Sequence, residues 1–254
     1  MNFEFTIWHF VLLFVVGSFT GFVDSIAGGG GLISLPILLS LGLPPQMAIA
    51  TNKMQSVFGT LSAVYHYRRA KLVRIRDVIW GILFTALGAA LGANLIQLIS
   101  NQLLKLIVPW LLLGIFIFTL LTPKLGESDK HHRLKAQVFY TLFGLLLGFY
   151  DGFFGPGTGA FWAIAFVTML GFNLRKATAH TKVMNVTSNI VSVITFLYAG
   201  LIVIPIGLIM AAGQLVGTYA GTRLVIRKGT GFIRIFFLCV VGVMLMKLFW
   251  TAYF

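Results

Sequence analysis

Two lysines are the residues whose placement asks most for an explanation. Lys53 and Lys182 each lie about seven residues inside a run that is otherwise largely apolar. If those runs cross a bilayer, each ammonium sits ~10 Å from an interface. A charge at that depth costs roughly 2.5–3.5 kcal/mol on insertion scales. A chain that bears the cost twice has a use for the charge, unless the lysines snorkel to the headgroups. Short polar groups precede both, Thr51 and Asn52 before one, His180 and Thr181 before the other. Such groups can donate hydrogen bonds to an oxyanion, or cap and cross-link helices. His180 reads equally as a structural hydrogen-bond partner. Asn185 and Asn189 stand one turn apart and read as an interhelical hydrogen-bonding pair.

Two acids complete the set. Asp24 and Asp151 also fall at the ends of apolar runs. A buried carboxylate must be paired or protonated. Asp24 and Asp151 would therefore compensate Lys53 and Lys182 in an empty site, with one protonating during turnover; a helix-end cap is the plainer reading. Each acid is followed by a glycine-rich break: Gly28, Gly29, Gly30 and Gly31 in one case, Gly155, Gly157, Thr158 and Gly159 around Pro156 in the other. A helix starting after such a break offers free N–H groups and a positive dipole end, which favour an anion. Tight helix crossing explains the same glycines. Neither break fits a phosphate loop or dinucleotide motif, since no following Gly-Lys-Ser/Thr and no βαβ context exists.

The elements that must hold these residues are membrane helices. The chain has 254 residues, 58% of them apolar and 10% charged. A soluble domain carries about 25% charge, and a mean hydropathy of +0.95 leaves too little polar surface to wrap a globule. Composition thus excludes a soluble enzyme, a disordered tail and a disulfide scaffold. Ten apolar segments are expected, at 5–26, 31–43, 47–66, 77–99, 103–122, 136–154, 158–172, 178–199, 203–226 and 231–252. The second and seventh are too short for the ~20 residues that a full crossing needs. The N-terminus shows no basic region or small-residue cleavage site, so the first run is kept as a membrane segment.

The formal charge of +13 is concentrated in the gaps 67–76, 123–135, 173–177 and 227–230, whereas 44–46, 100–102 and 200–202 carry none. If every segment crosses, the basic gaps share one face, the cytoplasm. Both termini then face the periplasm. Nucleic acid is not needed to explain the charge. Cys239, the only cysteine, reads as a small apolar residue, and the His131–His132 pair as solvated loop residues.

The two halves repeat. Gly17, Gly21, Phe22, Asp24, Gly28 and Gly30 recur 127 positions later as Gly144, Gly148, Phe149, Asp151, Gly155 and Gly157. Beyond a two-residue insertion, Ala48, Ala50 and Lys53 match Ala177, Ala179 and Lys182. Five crossings per half is an odd number, so the second half should enter the membrane inverted. That is a transporter design, with the substrate where the repeats meet. The expected fold is an all-α polytopic bundle, with a first repeat at 1–122, a linker at 123–135 and a second repeat at 136–254. Depth then predicts a crossed arrangement, with Lys53 level with 155–159 and Lys182 level with 28–31. The pairs Gly17/Gly21, Gly144/Gly148, Gly88/Gly92 and Gly217/Gly221 read as close-packing sites.

Gly21-Phe22-Val23-Asp24-Ser25-Ile26-Ala27-Gly28-Gly29-Gly30-Gly31 with Ala50-Thr51-Asn52-Lys53, and Gly148-Phe149-Tyr150-Asp151 with Ala179-His180-Thr181-Lys182 and Asn185-Val186-Thr187-Ser188-Asn189, resemble the TauE/SafE sulfite-exporter family, also called the toluene-sulfonate uptake permease family. The resemblance spans nearly the whole chain. It implies a bacterial inner-membrane permease for small sulfur-containing anions such as sulfite or organosulfonates. The expected partners are a small anionic solute and the lipid bilayer, with oligomerisation left open and no cofactor or metal. An anion channel is the nearest rival, although filter carbonyls attract cations. A membrane scaffold is a further rival. An intramembrane aspartyl protease using Asp24 and Asp151 is the enzyme rival, and it lacks the Gly-x-Gly-Asp companion.

Overall fold

The structure is a computed structural model and describes residues 7–121 and 133–228, together with Met246 and Trp250. The last expected segment (231–252), the His131–His132 pair, Cys239 and most of the 123–135 connection lie outside the described residues. Among the described residues there is no strand, and the helices follow the expected segments within a few positions. They are α1 (Ile7–Ala27), α2 (Gly31–Ser40), α3 (Pro45–Arg69), α4 (Ile79–Leu95), α5 (Asn101–Leu121), α6 (Ala136–Phe153), α7 (Thr158–Met169), α8 (Leu174–Tyr198) and α9 (Ile204–Lys228). Short 3-10 turns at Ile75–Val78 and Ile96–Leu98 flank α4.

Local chemistry sets these limits. Pro44 and Pro45 open α3, where the missing N–H costs nothing. Asn173 caps α8 by accepting from the Lys176 amide at 3.0 Å. α2 and α7 stop at left-handed Gly42 and Gly171, and α3 and α8 at left-handed Lys71 and Gly200. The partners in each of these pairs are 129 positions apart.

α3 and α8 pack against each other in the middle of the bundle. α1 lies along α9, which also contacts α3, and α6 lies along α4, which also contacts α8. The first helix of each half therefore packs on the fourth helix of the other half. The helices of the stretches 7–121 and 136–228 thus interleave. Small residues permit the contact. A Cβ at Gly217 would run into the Ser18 carbonyl, and one at Gly92 into the Phe149 carbonyl. Gly17, Gly21, Gly88, Gly148 and Gly152 meet backbone in the same way, and Gly144 meets Phe84. With no side chain between them, helix backbones approach closely enough to gain van der Waals contact that lipid cannot match.

Among the described residues, four stretches are long and apolar enough to cross a membrane: Ile7–Ile26, Ile75–Leu98, Asn101–Phe118 and Ile204–Arg227. They expose large apolar side chains, such as Trp80, Leu91 and Trp110. α3 and α8 have 25 residues each, enough for ~37 Å, yet they are not among those four. Their sequences are diluted by polar side chains that are buried: Thr51, Asn52, Lys53 and Gln55 on α3, and Thr181, Lys182, Ser188 and Ser192 on α8. Such helices tolerate polar groups because protein, not lipid, surrounds them. α2 and α7, with 10 and 12 residues, reach only ~15 and ~18 Å.

Candidate functional site: crossed ion pairs at the meeting of two glycine breaks

The breaks before α2 and α7 touch. A Cβ on Gly28 would lie 2.5 Å from the Cα of Gly159, and one on Gly31 would lie 3.2 Å from the Cα of Pro156. Gly28 has φ +71°, and Gly155 and Gly157 have φ +97° and +81°. A side chain at Gly28 would thus be strained and would also push the two halves apart. Backbone that bends inside a bundle must be buried or line a wet space, and here it does the latter. A cavity of about 30 Å³ is lined by Gly28, Gly31, Gly155, Gly157 and Gly159 from the breaks. Asp24 and Asp151 line it too, with Asn52, Ser56 and Thr60 of α3 and Asn185 and Asn189 of α8. That volume has room for about two waters.

The lysines pair crosswise. The Lys53 ammonium, from the first half, donates to Oδ1 of Asp151 in the second. Lys182, from the second half, donates to Oδ2 of Asp24 in the first at 2.9 Å. Lys53 lies against the second break, for a Cβ on Gly155 would fall 2.8 Å from its Nζ. Lys182 reaches the carboxylate that also accepts the Gly30 amide of the first break at 3.4 Å. Both ammonium groups are fully buried, so neither snorkels. Two lysines and two aspartates sum to zero charge, which makes burial of all four tolerable.

The two pairs differ in support. Asp151 accepts Lys53 on Oδ1 and the Ser188 hydroxyl on Oδ2, and Lys53 also donates to Asn189 Oδ1 at 3.1 Å. Asp24 has Lys182 and the long contact from Gly30, and its side chain is 14% exposed against 5% for Asp151. The position 129 residues before Ser188 is Gly59, which has no hydroxyl to give. The side chain of Gln214 from α9 occupies the space beside Gly59.

Other candidates fall around this core. Asn52 lines the cavity, and its Oδ1 accepts from Gln55 at 2.8 Å and from the Ser34 hydroxyl. Thr51 does not line it; its hydroxyl accepts the Val203 amide at 3.0 Å and ties α3 to the start of α9. Thr158 donates to the Gly155 carbonyl at 2.6 Å and shapes the second break. Thr181 is buried, and its hydroxyl has no hydrogen-bond partner among the described residues. His180 departs from the expected place. Its ring packs on Phe166 and Phe172, and Nδ1 meets the Lys176 carbonyl at 2.8 Å. On a helix, 180 points about 100° away from 181, so the adjacent polar residue does not share the cavity face. Gly29 and Gly30 do not line the cavity, and neither do Lys53 and Lys182, which lie behind the two carboxylates. Of the asparagine pair, Asn189 makes the interhelical bond, to Lys53, and Asn185 makes none.

Ser56, Thr60, Ser34 and Ser188 were not singled out from the sequence. A signal existed for the first two. Asn52, Ser56 and Thr60 are spaced by four, as are Thr181, Asn185 and Asn189, 129 positions on. A polar stripe at helical spacing on an otherwise apolar helix marks an interior face. Ser188 had no such signal, because its counterpart is a glycine.

Broken helices meeting at a polar cavity, inside a bundle whose outer face is apolar, are the architecture of a multi-pass membrane transporter. A family model described as Sulfite exporter TauE/SafE matches residues 13–248, and the chain belongs to that family. A "Probable membrane transporter protein" of Haemophilus influenzae is 48% identical over 223 residues, covering 88% of each chain. The "Probable membrane transporter protein YfcA" of Escherichia coli K12 is 43% identical over 242 residues, covering 95% of this chain and 90% of the relative. A more distant relative, "Probable membrane transporter protein MJ0441" of Methanocaldococcus jannaschii, is 26% identical and covers 92% of each chain. No solved structure matches the chain. The protein is therefore a multi-pass membrane transporter for a small solute, not an enzyme.

Proposed function

We propose that this protein is a secondary carrier for small sulfur-containing anions such as sulfite or organosulfonates. It works by alternating access around the cavity between two inverted repeats. The observation that carries the reading is the crossed pairing, Lys53 with Asp151 and Lys182 with Asp24, at the point where the two glycine breaks touch. The cavity changes its exposure when the interlocked helices α1, α3 and α9 rock against α4, α6 and α8. Lys53 and Lys182 supply the positive charge of the site, Asp24 and Asp151 neutralise it when the solute is absent, and the glycine backbone admits the solute. The basic connections suit a cytoplasmic face, which puts both termini in the periplasm and the chain in the bacterial inner membrane. The family name, Sulfite exporter TauE/SafE, supports the solute class.

The test is uptake of radiolabelled sulfite into proteoliposomes. The carrier reading expects saturable uptake, exchange against unlabelled sulfite, and loss of both in Lys53→Ala and Lys182→Ala. Wild-type uptake by both variants would remove the lysines from the mechanism. Unitary currents in planar bilayers would replace the carrier by a channel.

A further inference from the structure

The hydrogen-bonding capacity of the cavity is lopsided, and the imbalance is independent of net charge. Each oxygen of its two carboxylates already has a donor. Asp151 has a donor on each oxygen, Lys53 and Ser188, and Asp24 has Lys182 on one and the Gly30 amide on the other. Thr60 spends its hydroxyl hydrogen on the Ser56 carbonyl. Its donors are left over. Asn189 gives its amide oxygen to Lys53. An ammonium can only donate, so that contact fixes the orientation of the amide and leaves its N–H2 end uncommitted. Asn52 sets its oxygen against Gln55 and Ser34, and its N–H2 end makes no hydrogen bond among the described residues. Asn185, 6% exposed and one turn from Asn189, has its oxygen buried without a partner, and its nitrogen makes no hydrogen bond among the described residues. All three asparagines line the cavity. The amides of Gly31, Gly157 and Gly159, which line it as well, likewise make no hydrogen bond among the described residues.

We infer that side-chain amide N–H groups of Asn52, Asn185 and Asn189 hold the oxyanion, with the lysines behind them as positioning residues. An oxyanion has only acceptors, so it matches the uncommitted N–H groups of this wall. At Asn52 and Asn189, whose oxygens are engaged, a cation or an amine would meet the wrong end of the amide. The ion pairs then hold the amides in register rather than touching the solute, most directly for Lys53 on Asn189. This inference rests on the carrier reading given above and names the contacts within it.

Asn185 is the residue to change, because its side chain makes no hydrogen bond among the described residues, and the Ser188 hydroxyl that meets it does so at the backbone carbonyl, which substitution leaves in place. The probe is radiolabelled sulfite, with sulfate, thiosulfate, methanesulfonate and acetate as competitors, in proteoliposomes of protein that elutes as one species. Asn185→Ala and the near-isosteric Asn185→Asp should each raise KM for sulfite by about tenfold or more, the worth of a hydrogen bond to a charged group. Asn185→Asp should be the worse of the two, and Asn185→Gln should restore part of the affinity. Melting temperatures close to wild type would assign the change to solute contact. Sulfite uptake by wild type with an unchanged KM in both Asn185→Ala and Asn185→Asp would overturn the amide contacts and leave the carrier reading standing. A wild type that moves none of the oxyanions would overturn both.

Discussion

If the ion pairs close crosswise, the four charged residues must couple across the halves and not within them. The perturbation is a set of double-mutant cycles with Lys53→Met, Lys182→Met, Asp24→Asn and Asp151→Asn. Removing one member of a buried pair leaves its partner charged and unpaired, which costs about 3–5 kcal/mol. Replacing both members at once often costs little, since the desolvation of two ions disappears with them. The coupling within Lys53/Asp151 and within Lys182/Asp24 should therefore be about 2–4 kcal/mol. The alternative pairings, Lys53/Asp24 and Lys182/Asp151, share no hydrogen bond, so their coupling through the common cavity should be clearly weaker than that of the crossed pairs. A single loss of 3–5 kcal/mol lowers the melting temperature of a chain of this size by about 6–20 °C. Thermal unfolding of detergent-purified variants, followed by size exclusion, reads this directly. Strong coupling of each lysine to the aspartate of its own half would refute the crossed geometry and, with it, the placement of the cavity. Additive losses in every pairing would show that no ion pair forms at all.

Three further outcomes follow from the same geometry. Asp151→Asn should cost about 1–2 kcal/mol more than Asp24→Asn, because Asp151 also holds the Ser188 hydroxyl and is the less exposed of the two; equal melting losses would contradict this. Gly28→Ala and Gly42→Ala both place a side chain at positive φ, a strain of about 1–2 kcal/mol. Only Gly28 faces packed backbone, so its variant should lose transport and additional stability, whereas Gly42→Ala transports normally. Gly217→Ala should destabilise the α1–α9 contact through the Ser18 carbonyl, while Gly114→Ala, with open space around it on α5, should gain up to about 1 kcal/mol of helix propensity; melting temperatures moving in the same direction would refute the contrast.

Much of this was legible in the residues themselves. Glycine breaks, apolar run lengths and the left-handed stops at 42 and 171 mark helix ends by local chemistry, so the segments 31–43 and 158–172 could be placed before any packing was known. The crossed contacts of the lysines agree with the expectation drawn from short segments and an inverted second half. The fine structure of the site follows from contacts that no repeat could report. Ser188 matters because it reaches Asp151, and at the equivalent position Gly59 leaves room for Gln214 instead. His180 was a candidate because it stands two positions before Lys182, but residues two apart on a helix point about 200° apart and meet different neighbours. The chain could reveal which residues recur, but not where the recurrence had been given up.

The burial of four charges deserves a functional account because stability does not demand it. A buried ion pair is often no more stable than a well-packed apolar pair of similar volume. Lys53, Lys182 and Asp151 could on that ground be replaced by apolar residues, and the bundle would still have its glycine-stitched contacts between α1 and α9 and between α4 and α6. Those contacts are built from backbone and tolerate little displacement. The ion pairs are different: each is a single side-chain contact between halves, next to a break where the backbone is not held in a helix. Opening one such pair leaves two charges in search of partners, so the closed arrangement is favoured until something polar enters the cavity. In the carrier reading that something is the solute, and both pairs feel its arrival because each joins the interlocked group α1, α3 and α9 to the group α4, α6 and α8. A motion that parts these two groups and keeps the glycine-stitched contacts within them must loosen Lys53 from Asp151 and Lys182 from Asp24 together, which in that reading makes the change of access all-or-none rather than a drift of one helix.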